Sequence, residues 1–150
     1  MDAINEIRSG LPEVAKDIKL NLQSVLTQSS LEPQARWGVA WAAALTTGNA
    51  ALIDAINQDG AKEMDDATRE DAKAAAVLMG MNNVYYRFRH MVGKETYSTR
   101  PARLRMNRMA RTAGDKLNFE LMSLAVSAIN GCESCIQSHE KVVIAGGMTE

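Results

Sequence analysis

Nowhere in these 150 residues is there a convincing run of strict apolar alternation over the length of a strand. Apolar side chains recur instead at intervals of three and four, the spacing that gives a helix one apolar face. Ala, Leu, Met, Glu, Lys and Arg dominate, aromatic residues make up 5%, and there are three prolines, Pro12, Pro33 and Pro101. Each proline follows a polar or charged stretch and suits a helix start, where a missing N–H costs little. The pattern predicts an all-α fold, a multi-helix bundle in a single domain.

The spacing predicts a helix from about Pro12 to Leu26 with Ile18, Leu22 and Val25 on its apolar face, and a second from about Pro33 to Thr46 carrying Trp37, Ala40, Trp41 and Ala44. A short helix through Ala51, Leu52, Ala55 and Ile56 ends near Asp59-Gly60. A long one starts after Asp65-Asp66 and reaches Tyr86 or beyond, tolerating Gly80. His90 to Arg100 reads as a polar connection and Pro101 to about Ala110 as a basic helical stretch. Gly114-Asp115 introduces a helix from Phe119 to about Asn130, with Phe119, Met122, Val126 and Ile129 apolar. Asn130-Gly131 stops it, and a last helix runs from Cys132 or Glu133 to Ala145.

Charge excludes some classes of partner. The net charge is −1, so there is no nucleic-acid footprint, and Arg100, Arg103, Arg105, Arg108 and Arg111 read as a solvated helix face or a subunit contact. No apolar run is long enough for a membrane span, and Met1 to Glu6 lacks the apolar segment of a signal peptide. The expected compartment is the cytoplasm, where a lone Cys-x-x-Cys is more often catalytic or metal-binding than a structural disulfide.

The chemistry concentrates in Cys132-Glu133-Ser134-Cys135-Ile136-Gln137-Ser138-His139. On a helix, Cys132, Cys135 and His139 fall within an arc of roughly 60°. A helix N-terminus stabilises a thiolate, and an imidazole accepts the thiol proton. Two thiols so spaced can close into a disulfide. Glu120, on the preceding helix in the apolar run Phe119-Glu120-Leu121-Met122, reaches the thiols only if the two helices pack back on each other, which makes His139 its expected direct partner. A zinc site needs four ligands, and there is no second cysteine pair. A Cys₂His metal site with an open position stays as an alternative. Trp37, Trp41 and the Met-rich helices offer more apolar surface than a thin helical layer hides, which predicts a homo-oligomer. Met79, Met81 and Met122 read as core or interface filler.

Three stretches carry a family resemblance: Leu11-Pro12-Glu13-Val14-Ala15-Lys16-Asp17-Ile18-Lys19-Leu20-Asn21-Leu22, Met79-Gly80-Met81-Asn82-Asn83-Val84-Tyr85-Tyr86-Arg87, and Asn118-Phe119-Glu120-Leu121 through Ala128-Ile129-Asn130-Gly131-Cys132. Together with the Glu, Cys-x-x-Cys and His set, the sequence resembles the alkyl hydroperoxide reductase D (AhpD) family of the carboxymuconolactone decarboxylase-like superfamily. The resemblance implies an AhpD-like helical domain over residues 1–150 that assembles as a homotrimer. It implies reduction of alkyl hydroperoxides and regeneration of the peroxiredoxin AhpC. It also implies electrons from a dihydrolipoyl group on a lipoylated acyltransferase, recharged by dihydrolipoamide dehydrogenase, with no bound cofactor or metal.

By the family motif, Cys135 is the thiol that becomes a sulfenic acid, Cys132 the proton donor and resolving thiol, and His139 and Glu120 the proton relay. Helix-dipole logic alone would favour Cys132 as nucleophile; the closeness of His139, one turn from Cys135, favours Cys135. Ser134 stands where some members carry a second His. Family members continue into at least one further helix beyond Glu150, so the expected domain is short of a C-terminal helix. The competing functions are a disulfide reductase of the same fold that reacts poorly with peroxides, and a helical interaction module whose cysteines bind metal.

Overall fold

The computed structural model describes Met1–Glu150 and contains helices, turns and irregular connections, with no strand. In chain order the helices are α1 (Asp2–Gly10), α2 (Lys16–Thr27), α3 (Pro33–Thr47), α4 (Ala50–Asp59), α5 (Asp66–Val92), the single turn α6 (Glu95–Ser98), α7 (Lys116–Ile129) and α8 (Glu133–Ala145). Local chemistry sets the principal starts. Pro33 occupies the first turn of α3. Asp65 and Asp115 cap α5 and α7 by accepting from the backbone N–H groups of Thr68, at 2.7 Å, and Asn118, at 2.8 Å. The backbone and side-chain bonds from Thr68 hold the Asp65 carboxyl below its usual range.

α3, α5 and α7 pack against one another, α8 lies on α7 and α5, and α1 lies on α4. Phe119, Met122 and Val126, three and four apart on α7, are fully or almost fully buried, each worth roughly 1.5–3 kcal/mol relative to exposure. They meet Trp37 and Trp41 of α3 and Met79 of α5 in one core. α3 approaches α7 closely at Gly38, where a Cβ would stand 2.3 Å from the Met122 methyl.

Several expectations need correction. The first helix is not the one starting near Pro12: α1 precedes it, buries Ile4, and is held by Asp59 at the end of α4, whose carboxylate accepts from the N–H groups of Ala3 and Ile4 at 3.3 and 2.8 Å. α2 turns Leu26, not Ile18 and Val25, into the core; Ile18 is 61% exposed. Ile129, the last residue of α7, is also exposed. The polar connection from His90 is shorter than expected, because α5 runs to Val92 and α6 follows.

The basic stretch after Pro101 is not a helix. Residues 101–106 are irregular, Arg103 has φ +55°, and only Asn107–Ala110 form a 3₁₀ turn. Here Ala102, Leu104 and Met106 are half-buried while Arg103 and Arg105 are exposed, a period of two that no helix face gives. The segment is tied down by buried Asp71 of α5, whose carboxylate accepts from Arg108 at 2.6 Å and from the N–H groups of Ala113 and Gly114 at 2.8 Å. The arginines therefore form no helix face. Trp37 and Trp41 are buried within the protomer and offer nothing to a partner. Exposed apolar side chains lie elsewhere, on α2 at Ile18, Leu20 and Val25 and, as one stripe along α5, at Val77, Met81, Val84, Phe88 and Met91.

Candidate active site

The turn between α7 and α8 builds the site. Gly131 takes φ +64°, the left-handed conformation that ends a helix. The Cys132 N–H bonds back to the Ser127 carbonyl and the Gly131 N–H to that of Ala128, both at 3.1 Å, the paired bonds of a Schellman stop. A side-chain chain braces it: Asn130 donates to Asn83 Oδ1, and Asn83 donates to Ser127 Oγ, each at 3.0 Å. α8 then starts with Cys132 as its N-cap, in extended conformation, and Cys135 inside its first turn.

Cys132 and Cys135 are joined by a disulfide, with their Cα atoms 5.3 Å apart. The two cysteines sit in different surroundings. Cys132 is 0% exposed; Cys135 is 7% exposed and lines a cavity of about 340 Å³ with Met79, Asn82, Tyr86, Met106, Met109 and His139. The helix-dipole argument for Cys132 changes with this geometry. Cys132 makes no side-chain capping bond, and it is Cys135 that stands within the first turn.

Antiparallel packing of α8 on α7 brings His139 beside Glu120. His139 Nδ1 lies 2.6 Å from Glu120 Oε2, and Lys116 Nζ lies 2.5 Å from the other carboxylate oxygen. Both His139 and Glu120 are buried. Burial acts to raise the Glu120 pKa, but the bonds and charges of His139 and Lys116 outweigh it and hold the carboxyl below its ordinary value. Glu120 is therefore ionised and can only accept, so Nδ1 carries the hydrogen and donates. That leaves Nε2 turned away from Glu120; it faces the Met79 thioether at 3.2 Å. The structure thus brings all four sequence-predicted residues together: a bonded cysteine pair, and a His–Glu pair behind the cavity that Cys135 borders. No group of three or more His, Cys, Asp or Glu side chains converges as a metal site, and no helix is long and apolar enough to cross a membrane.

Residues 96–150 match the carboxymuconolactone decarboxylase family. The whole chain is 59% identical, over 150 residues, to alkyl hydroperoxide reductase AhpD of Anaeromyxobacter dehalogenans strain 2CP-C, covering 81% of that protein. It is also 46% identical over 147 residues to the AhpD of Bradyrhizobium sp. strain BTAi1, with 98% of this chain and 81% of the relative covered. With AhpD of Brucella abortus strain 2308 the identity is 45% over 147 residues, covering 98% of this chain and 84% of that one. The chain belongs to the AhpD family.

In this AhpD family member, sequence reasoning missed most of the cavity wall. Met79 reads as core filler by its helical spacing and is 1% exposed, yet its sulfur meets His139. Asn82 is one turn further along α5, a buried polar residue where the helical pattern calls for an apolar one. Met106 and Met109 come from the segment expected to be a basic helix. The alternation Ala102-Arg103-Leu104-Arg105-Met106 was the signal that could have placed them.

Proposed function

We propose that the protein is a cytoplasmic dithiol peroxidase and disulfide reductase. On this reading it reduces alkyl hydroperoxides at Cys135 and regenerates the peroxiredoxin AhpC, drawing electrons from dihydrolipoyl groups of a lipoylated acyltransferase served by dihydrolipoamide dehydrogenase. The observation that carries the reading is the asymmetry of the bonded pair: Cys135 borders the cavity, and Cys132 is sealed behind it. The relatives' printed name, alkyl hydroperoxide reductase AhpD, points the same way.

Both thiols start reduced. His139 Nε2 takes the Cys135 proton, and Glu120, through Nδ1, holds the imidazolium that forms. The Cys135 thiolate attacks the terminal peroxide oxygen, the O–O bond breaks, and Cys135 becomes a sulfenic acid. The leaving alkoxide takes the Cys132 proton and departs as the alcohol. The Cys132 thiolate attacks the sulfenic sulfur, closing the disulfide, and hydroxide leaves with the proton held by His139 as water. A dihydrolipoyl dithiol then reduces the disulfide by thiol exchange. This chemistry uses no bound cofactor or metal.

The same reading makes the protein a homotrimer. Self-association is supported by Val77, Met81, Val84, Phe88 and Met91, exposed on α5 at alternating spacings of four and three, which set them on one face. The activity is tested by coupling the protein to dihydrolipoamide dehydrogenase, NADH, lipoamide and cumene hydroperoxide. NADH oxidation that requires every component, and that Cys135→Ser abolishes, is expected. Reduction of the protein's disulfide by dihydrolipoamide without consumption of peroxide would refute the peroxidase half and leave a disulfide reductase.

A further inference from the structure

We infer that Asn82 is the hydrogen-bonding residue that orients a hydroperoxide beside Cys135, an inference that rests on the peroxidase reading. Asn82 is 3% exposed and lines the same cavity as Cys135 and His139. Its amide is nearly without partners. Nδ2 contacts the Met109 thioether at 3.6 Å, a weak acceptor, and no group of the protein donates to the buried Oδ1. Whichever way round the amide is set, one polar atom has no partner and the other meets sulfur. A buried amide left in that condition is unfavourable and calls for a reason.

The other polar groups of the cavity do not fill this role. Ser138 is exposed, and its hydroxyl, which donates to the Ser134 carbonyl at 2.7 Å, has solvent as a partner. His139 Nδ1 is engaged by Glu120, and Nε2 is needed for the thiol proton. Tyr86 and Ser134 sit at the rim that this cavity shares with a neighbouring groove running to Arg89 and His90. Asn82 is the deep polar group among the Met79, Met106 and Met109 side chains.

A hydroperoxide has one donor, its terminal O–H, and an organic tail. In this cavity the tail lies against the methionine side chains while Asn82 Oδ1 accepts the O–H. That bond selects which peroxide oxygen meets the Cys135 thiolate. With the terminal oxygen presented, attack transfers OH to sulfur and expels the alkoxide, which takes its proton from Cys132. Asn82 gains no electrons and transfers no proton. It is a substrate-positioning residue, and it has no part in thiol exchange with a dithiol donor.

The two half-reactions separate this role from a structural one. Pre-reduced protein is mixed with cumene hydroperoxide and thiol loss is followed; oxidised protein is mixed with dihydrolipoamide and disulfide reduction is followed. In Asn82→Leu, of matching size, the peroxide rate constant falls about tenfold, the order expected for one lost hydrogen bond to the reacting group, while the dithiol rate constant stays within about twofold of wild type. Asn82→Ser, which keeps a hydroxyl acceptor in less volume, recovers part of the peroxide rate relative to Asn82→Ala and carries the test if the Leu variant does not fold. Equal losses in both half-reactions, an unchanged peroxide rate in Asn82→Leu, or no difference between Ser and Ala overturns the inference. A wild-type protein that exchanges with dihydrolipoamide but ignores cumene hydroperoxide overturns the peroxidase reading itself, and the inference with it.

Discussion

Replacing Glu120 by Gln keeps the shape of the buried carboxylate and removes its charge. The two partners respond differently. Lys116 is about half exposed and returns to water, so its loss is worth roughly 0–1 kcal/mol. His139 is 7% exposed in its side chain, as is Glu120, and the bond between them is charge-assisted. Such a bond contributes about 1.5–3 kcal/mol against about 0.5–1.5 for a neutral one. Gln still accepts from Nδ1, so the tautomer survives and the difference, about 1–2 kcal/mol, falls on the imidazolium that the proposed proton transfer would form. The expected result is a roughly five- to thirtyfold slower loss of Cys135 thiol on mixing with cumene hydroperoxide at neutral pH.

Stability supplies a second readout with a definite sign. The folded Glu120 carboxyl lies below its ordinary value of 4.5, so its contribution is complete above that value and is lost as pH falls through the folded one. Wild type should exceed Glu120→Gln in resistance to urea at pH 7, and the gap should close in more acidic solution. A variant that is folded, yet matches the wild-type peroxide rate within twofold from pH 6 to 9, would show that Glu120 does not act through His139.

Three other outcomes follow from the same geometry. Cys132→Ser should trap dimedone as a sulfenic acid at Cys135, and Cys135→Ser should not label; label on Cys132 alone restores the helix-dipole assignment. Asp71→Asn removes the charge that Arg108, Ala113 and Gly114 converge on, and should lower stability by about 2–4 kcal/mol and speed tryptic cleavage at Arg103 and Arg105. Cleavage at wild-type speed would mean that Asp71 does not hold the segment. Replacing Val84 and Phe88 together by Glu should lower the light-scattering mass toward the 16.3 kDa of one chain. A wild-type protein already at that mass would remove self-association through α5.

The helices that sequence reveals well are those whose apolar spacing coincides with a core. On α7, Phe119, Met122 and Val126 follow the helical repeat and are buried together, and the cap at Asp115 and the stop at Gly131 stand at its ends. The four candidate site residues are legible because their types and spacing make sense only together. Two parts were not legible, for different reasons. α1 is short and is held by Asp59, a contact made across fifty-five residues that no local pattern announces. Residues 101–114 take their shape from Asp71 rather than from their own backbone ladder, so helix-forming composition misled there. Trp37 and Trp41 suggest an exposed face by their size alone, and both are buried because α3 lies inside the one core cluster.

The unequal placement of the two bonded cysteines has a kinetic consequence. Cys132 offers no route from solvent, so on the proposed reading a reducing thiol would attack the sulfur of Cys135 and expel Cys132 as the leaving thiolate at the start of α8. Oxidant and reductant then use a single doorway and the same sulfur, and neither can occupy it while the other is bound. Turnover on that reading would alternate between two covalent forms of the protein, and parallel lines in double-reciprocal plots are the expected result. Each substrate in excess would then inhibit by lodging against the form meant for the other.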